Sequence, residues 1–295
     1  MKPAAFIRHV PRSIDDVVNA LAVYAAQDGR ILAGGQSLVP IMAFRMARPA
    51  HLIDINEVAG LDHLRISADT LAIGALVRHG RFHKPVDGAG VLGQLLAAVV
   101  KHIAHYPIRM RGTFCGSLAH ADPASEWCLV AATLGASLIA NSTRGERIIA
   151  ADNFFLGIMT TDLAQDEFLS EVRLPQLPEG TRFGFEEFSR RAGDFAMASA
   201  LITYRITEGA MTDVRVGVGG AEDRPRRIRD AEAALTGHPP DEALFALAAD
   251  IAADAIDPLE DIQTTGEYRR DLVRAMVRRA LGRTLVGRSL ADQIQ

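Results

Sequence analysis

The chain has 295 residues, of which 48% are hydrophobic and 23% charged, and its formal net charge is −4. This is enough chain for two domains of ordinary globular composition. The acidic balance excludes the basic face of a nucleic-acid binder, and no stretch reaches the roughly 18 continuous apolar residues that a spanning helix needs.

In chain order, "MKPAAFIRHVPRS" lacks a long apolar stretch and a cleavage site, so a cytoplasmic protein is expected. Ser13 starts a helical pattern, with Asp16 three residues on as a capping-box partner and Val17, Val18, Leu21 and Tyr24 at helical spacing. Gly29 is expected to end that helix in the left-handed conformation. Strands are expected at 30–33 and 51–56, a hairpin at 64–76 and a helix at 92–103. An irregular stretch follows at 105–127. A helix at 123–134 begins within it, with Asp122 as N-cap and Pro123 at the first helical position. Gly135 ends it, and strands at 136–140, 147–150 and 167–174 complete the first part. "LPQLPEG" at 174–180 reads as a boundary. Beyond it, runs at 183–189, 196–206 and 211–219 alternate like antiparallel strands, and helices follow near 230–236, 241–255 and 267–285. An antiparallel sheet with helices on one face fits this part. The one basic cluster, "DRPRRIRD" at 223–230, reads as a solvated loop.

Two cysteines, Cys115 and Cys128, cannot supply the four thiolates of an iron–sulfur cluster, and no Cys pair lies near a His pair at zinc-finger spacing. No metal site is expected. Redox chemistry on this chain would need an organic cofactor or a partner.

Two glycine loops stand out. In Ala33-Gly34-Gly35-Gln36-Ser37 the glycines expose main-chain amides without steric cost. Successive N–H groups form a nest for an anion such as a pyrophosphate, and Ser37 adds a hydroxyl donor. The spacing is neither G-x-G-x-x-G nor a Walker sequence. A tight strand–helix turn with no ligand is the alternative. The second loop, "RGTFCGSLAHADPASE" at 111–126, again sets Gly112, Thr113, Gly116 and Ser117 in a short segment before a helix. Two such loops could grip one extended ligand mainly through amides and hydroxyls.

"LAGGQSLVP" followed by "RPAHLIDIN", and then "IRMRGTFCGSLAHADPASE", closely resembles the flavin-binding medium subunit of the molybdenum hydroxylases. That family includes the carbon monoxide, quinoline and nicotinate type dehydrogenases and the xanthine dehydrogenase relatives. "FSRRAGDFAMAS" at 188–199 adds a third matching motif, and the resemblance runs over nearly the whole chain. It implies an α+β fold. Residues 1–177 would form a vanillyl-alcohol-oxidase (PCMH)-type FAD-binding domain of two subdomains with FAD between them. Residues 178–295 would form a small CO dehydrogenase flavoprotein-like C-terminal domain with an antiparallel sheet and helices.

Carried over by position, Ala33, Gly34, Gly35, Gln36 and Ser37 would cradle the FAD pyrophosphate, flanked by Leu32 and Leu38. Thr113, Cys115, Gly116 and Ser117 would form the facing loop. Glu126 would accept hydrogen bonds from ribose hydroxyls, and Phe168 and Leu169 would lie near the isoalloxazine ring. His120 is a cofactor contact or a loop histidine, and Asp122 a contact or only an N-cap. Three positions depart from the family's pattern. Cys115 replaces the first of two glycines, Met110 a common Asn, and Glu186 and Glu187 occupy a region where relatives often have a Lys. Cys115 reads as passive or redox-active, since only a thiolate is reactive.

The implied function is an FAD-binding electron-transfer subunit of a heteromeric molybdenum-containing hydroxylase. A large molybdopterin subunit would oxidise the substrate with water as oxygen source. Electrons would pass through 2Fe–2S clusters of a small subunit and FAD to NAD, a quinone, oxygen or a carrier protein. One heterotrimer or a dimer of heterotrimers is expected, with no catalytic residue on this chain. A stand-alone PCMH-type flavin reductase or oxidase is the alternative, and would need its own substrate acid and donor residues. A non-catalytic nucleotide-binding protein is a third reading.

Overall fold

The computed structural model describes residues 2–262 and 264–285. Residues 286–295 of the expected C-terminal domain lie outside them. The chain forms two compact units. The first holds the residues up to Asp122 with Gly135–Gln176, and the second holds Pro123–Leu134 with the residues from Leu177 on.

The first unit opens with β1 (Ile7–His9) and α1 (Ile14–Tyr24). Ser13 Oγ accepts from Asp16 N at 3.1 Å and the Asp16 carboxylate accepts from Ser13 N at 3.0 Å, a full capping box. Val17, Val18 and Leu21 bury the inner face of α1. The left-handed residue after it is Asp28 (φ 59°), not Gly29. Gly29 instead opens β2 (Gly29–Leu32), where an added Cβ would lie 2.6 Å from Tyr24 O. The glycine is required by close approach, not by a positive φ. After α2 (Leu38–Ala43) comes β3 (His51–Asp54), parallel to both β1 and β2 in a sheet of order β1-β3-β2. β3 stops at Asp54 because the Asp54 carboxylate accepts from Asn56 N and turns the chain into a 3-10 helix.

β4 (Leu64–Ile66) and β5 (Thr70–Gly74) form the expected hairpin, and α3 (Gly90–Val99) is shorter than the apolar run suggested. The stretch read as irregular contains α4 (Tyr106–Arg109) and α5 (Phe114–His120), each too short to carry a helical period. α6 (Glu126–Leu134) starts later than expected, and Asp122 is not its N-cap. Ser125 Oγ accepts from Cys128 N at 3.4 Å, while Gly220 N, at 2.8 Å, holds the Pro123 carbonyl outside the helix.

β6 (Ser137–Ser142) and β7 (Gly145–Ala150) follow, then α7 (Ala151–Phe154) and a small hairpin of β8 (Phe155–Gly157) and β9 (Thr160–Thr161). β10 (Phe168–Pro175) completes an antiparallel sheet of order β4-β5-β10-β6-β7. The described residues of the first unit therefore contain a three-stranded parallel sheet, a five-stranded antiparallel sheet and the two-stranded β8–β9 hairpin.

The second unit is built on β11 (Arg182–Phe188), β12 (Ala198–Thr207), β13 (Ala210–Gly219) and β14 (Arg226–Arg227), antiparallel in that order. α8 (Arg229–Leu235), α9 (Glu242–Asp254) and α10 (Gly266–Leu285) share a core with one sheet face through Ile202, Val216, Phe245, Val273 and Met276. Neighbouring strand residues point to opposite faces. Gly217, next to Val216, faces Thr133 of α6, so α6 covers the other face. Helices on one face only were expected. The second layer comes from a segment more than 40 residues upstream. Among the described residues no helix is long and apolar enough to cross a membrane.

Candidate cofactor site

β2 delivers the chain into the first glycine loop. Gly35 takes φ +71°, a left-handed conformation that favours glycine. Gln36 Nε2 donates to Gly34 O at 3.1 Å and closes the turn. Val39 N donates to Gly35 O at 3.0 Å, the first backbone bond of α2. The amides of residues 35–38 precede it, and these are the groups a helix leaves without an internal acceptor. Ser37 makes no side-chain cap bond, which leaves its hydroxyl for a ligand.

The second loop is set by α5. Thr113 is its N-cap, and Thr113 Oγ1 accepts from Gly116 N at 3.1 Å. The turn is fixed from behind by Phe114 N donating to Val77 O and His79 N donating to Gly112 O, both at 3.0 Å. Gly112 lies against the His79 ring, where an added Cβ would fall 2.8 Å from Cδ2.

The two loops meet main chain to main chain. A Cβ on Gly34 would fall 2.7 Å from Gly112 Cα and collide with Arg111 O. Together they open onto a cavity of about 600 Å³ within the first unit. It is lined by Leu32, Ala33, Gly34, Gly35, Gln36, Ser37 and Leu38 from the first loop and by Thr113, Cys115, Gly116 and Ser117 from the second. His120 at the end of α5 and Phe168 and Leu169 at the start of β10 join them. A register shift between Leu169 and Glu171 marks a bulge there, a device that re-aims side chains. Asp122 lies outside the lining, and Glu126 is the first residue of α6 in the second unit.

The electrostatics of the lining are quiet. Burial, with Arg78 and Arg109 nearby, pushes the His79 pKa down to about 3, so the ring is neutral at neutral pH. Burial also lowers His120, outweighing the opposing effect of Asp122. Cys115 is 2% exposed and donates Sγ–H to Ile73 O at 3.4 Å. Burial, then Glu171, holds the thiol far above the usual range, and this removes the thiolate that redox reactivity would need. Iodoacetamide at about pH 8 is expected to leave Cys115 unmodified in the folded chain and to alkylate it only after denaturation. Ready native labelling, read by peptide mass, would contradict this. Of the other departures, Glu186 is paired with Arg283 in the second unit.

Sequence reasoning missed His79, residues 159–161 and 163–165, and Glu167, which also line the cavity. That segment is held by arginines on β6–β7. Arg147 pairs with Asp162 and Glu167, and Arg144 with Asp166. Met159 (φ 51°) donates its N–H to the carbonyl of Ala121 (φ 51°) at 3.0 Å. No local motif marks these residues. The available signal was the matching of arginines at 144 and 147 to the acids of "DLAQDE".

Residues 4–177 match the family model described as the FAD binding domain in molybdopterin dehydrogenase, and residues 183–284 match the CO dehydrogenase flavoprotein C-terminal domain. Nicotine 6-hydroxylase medium subunit of Paenarthrobacter nicotinovorans is 38% identical over 95% of this chain and 98% of its own. Carbon monoxide dehydrogenase medium chain of Hydrogenophaga pseudoflava is 32% identical over 95% of this chain and 97% of its own. Among solved structures, carbon monoxide dehydrogenase from Hydrogenophaga pseudoflava superposes with a TM-score of 0.92 at 33% identity, covering 97% of this chain and 99% of that one. Quinoline 2-oxidoreductase from Pseudomonas putida 86 does so with a TM-score of 0.90 at 35% identity, with the same coverage. The protein belongs to the family of FAD-binding medium subunits of the molybdopterin-dependent dehydrogenases.

Proposed function

We propose that this chain is the electron-transfer flavoprotein of a three-component molybdenum hydroxylase, and that the cavity between its two glycine loops takes FAD. The medium-subunit and medium-chain relatives support the assembly, with a large molybdopterin subunit and a small 2Fe–2S subunit as partners. Bound FAD supplies redox chemistry that links the partner's clusters to an external acceptor. This chain's residues bind and orient it. The amides of residues 35–38 and the Ser37 hydroxyl hold the pyrophosphate. Gly116 gives its amide to Thr113 and contributes by lacking a side chain. Thr113 and Ser117 face the phosphates with hydroxyls. Phe168 and Leu169 form a wall that keeps water from the ring. His120 is held neutral and adds no charge beside the cofactor.

The observation that carries this reading is the contact of Gly34 with Arg111 and Gly112. It leaves no room for a side chain between two amide-bearing turns that open on one cavity. The test is a titration of the purified full chain with FAD, followed by substrate turnover with and without the two partner subunits. Near-stoichiometric flavin, with turnover only when all three chains are mixed, is expected. A colourless chain that ignores FAD overturns the site, and turnover by this chain alone favours a stand-alone flavin enzyme.

A further inference from the structure

The two loops touch main chain to main chain, with Gly34 against Arg111 and Gly112. Two residues outside the cavity lining bridge them, one bonded to each loop and both bonded to each other. Asn56 Nδ2 donates to Ala33 O in the first loop at 2.8 Å. Arg78 Nη2 donates to Asn56 Oδ1 at 2.6 Å, and Arg78 Nη1 donates to Arg111 O in the second loop. That carbonyl is the atom a side chain on Gly34 would strike.

The orientation of the Asn56 amide follows from its neighbours. Its nitrogen meets two acceptors, Ala33 O and, at 2.6 Å, Asp54 Oδ1, while its oxygen meets a guanidinium, which can only donate. Asp54 is anchored in turn by Arg8, whose Nε donates to Asp54 Oδ2 at 2.8 Å. The far end of the Arg111–Gly112 peptide is held as well, with Gly112 N donating to Ile108 O at 2.8 Å. Neither Asn56 nor Arg78 lines the cavity.

We propose that Asn56 and Arg78 form a tie that sets the gap between the two loops, and through it the affinity and seating of the flavin dinucleotide. The inference rests on the reading of this cavity as the FAD site. Both are positioning residues: they act on the turns and not on the ligand. The forked guanidinium is essential because it spans two acceptors, Asn56 Oδ1 and Arg111 O, whereas a lysine ammonium is a single point of charge.

The experiment uses the full chain as wild type, Asn56→Ala, Arg78→Ala, Arg78→Lys and the double alanine variant. The FAD dissociation constant is measured by flavin fluorescence, bound-flavin seating by visible circular dichroism at saturating FAD, and folding by melting of the flavin-free chain. Each alanine variant is expected to weaken FAD roughly five- to twentyfold, the range for one or two net hydrogen bonds. Arg78→Lys should weaken it about as much as Arg78→Ala, and the double variant no more than the weaker single one. The bound-flavin dichroism should change while the flavin-free melting temperature stays within a few degrees. Arg78→Lys keeps the charge and most of the stem, so it still reports if the alanine variants misfold. Wild-type affinity in Asn56→Ala, Arg78→Ala or Arg78→Lys, or additive losses in the double variant, overturns the tie. Failure of the wild-type chain to bind FAD is a different result, and removes the site reading itself.

Discussion

A Gly34→Val chain is expected to purify without flavin. The added side chain would strike Arg111 O and fall 2.7 Å from Gly112 Cα, and neither is a flexible side chain that can swing away. The loops must part, at about 1–3 kcal/mol of overpacking. Parting them takes the amides of residues 35–38 out of line with Thr113 and Ser117. Losing two hydrogen bonds to a charged phosphate, at about 1.5–3 kcal/mol each, weakens FAD by more than about a hundredfold. Gly35→Val should act in the same direction for a different reason. Its φ of +71° strains any side chain, and the Cβ would press on Leu32 Cδ1 and Val39 Cγ2 at 3.2 Å. Gly282→Ala is the control, because nothing lies within 4 Å of its added methyl. The measurement is flavin content on purification together with an FAD titration of the refolded chain. Wild-type affinity in Gly34→Val would show that the two turns do not grip one ligand.

The loops were legible in the sequence because their requirement is written in residue identity. Gly34, Gly35, Gly112 and Gly116 each stand where a side chain would strain the backbone or meet a neighbour. The long strands and helices were legible from period. What stayed hidden has its cause in another part of the chain. The tie of Asn56 to Arg78 joins residues 22 apart, and Arg147 reaches Glu167 across 20. Arginine and asparagine are common on surfaces, so neither residue type signals such a contact. Pro123 resembled a helix start, but its carbonyl is taken by Gly220, nearly a hundred residues away, and Ser125 caps instead. α6 followed the first part in sequence, yet it packs in the second unit because β12 and β13 offer it a sheet face.

Acidification to about pH 5 is expected to cost the folded protein about 2 kcal/mol through His79 alone. Burial first, then Arg78 and Arg109, push its pKa from the ordinary 6.5 down to about 3. The sign follows from proton counting. Between those two values the unfolded chain protonates its histidine and the folded one does not, so unfolding takes up a proton and is favoured as pH falls. The contribution is fully present above about pH 6.5 and lost through the interval below it, at a slope approaching about 1.36 kcal/mol per pH unit. It levels off only below about pH 3. His79 N also donates to Gly112 O, and the ring packs against Gly112, so charging the ring bears on the second loop. FAD affinity should therefore fall with stability. Urea unfolding of wild type and His79→Gln between about pH 7 and pH 5 isolates the effect, because the carboxylates titrate alike in both chains. The wild-type curve should be steeper by close to one proton. Parallel curves would mean that the folded His79 ring takes up its proton at the ordinary histidine pKa, as a water-accessible ring does.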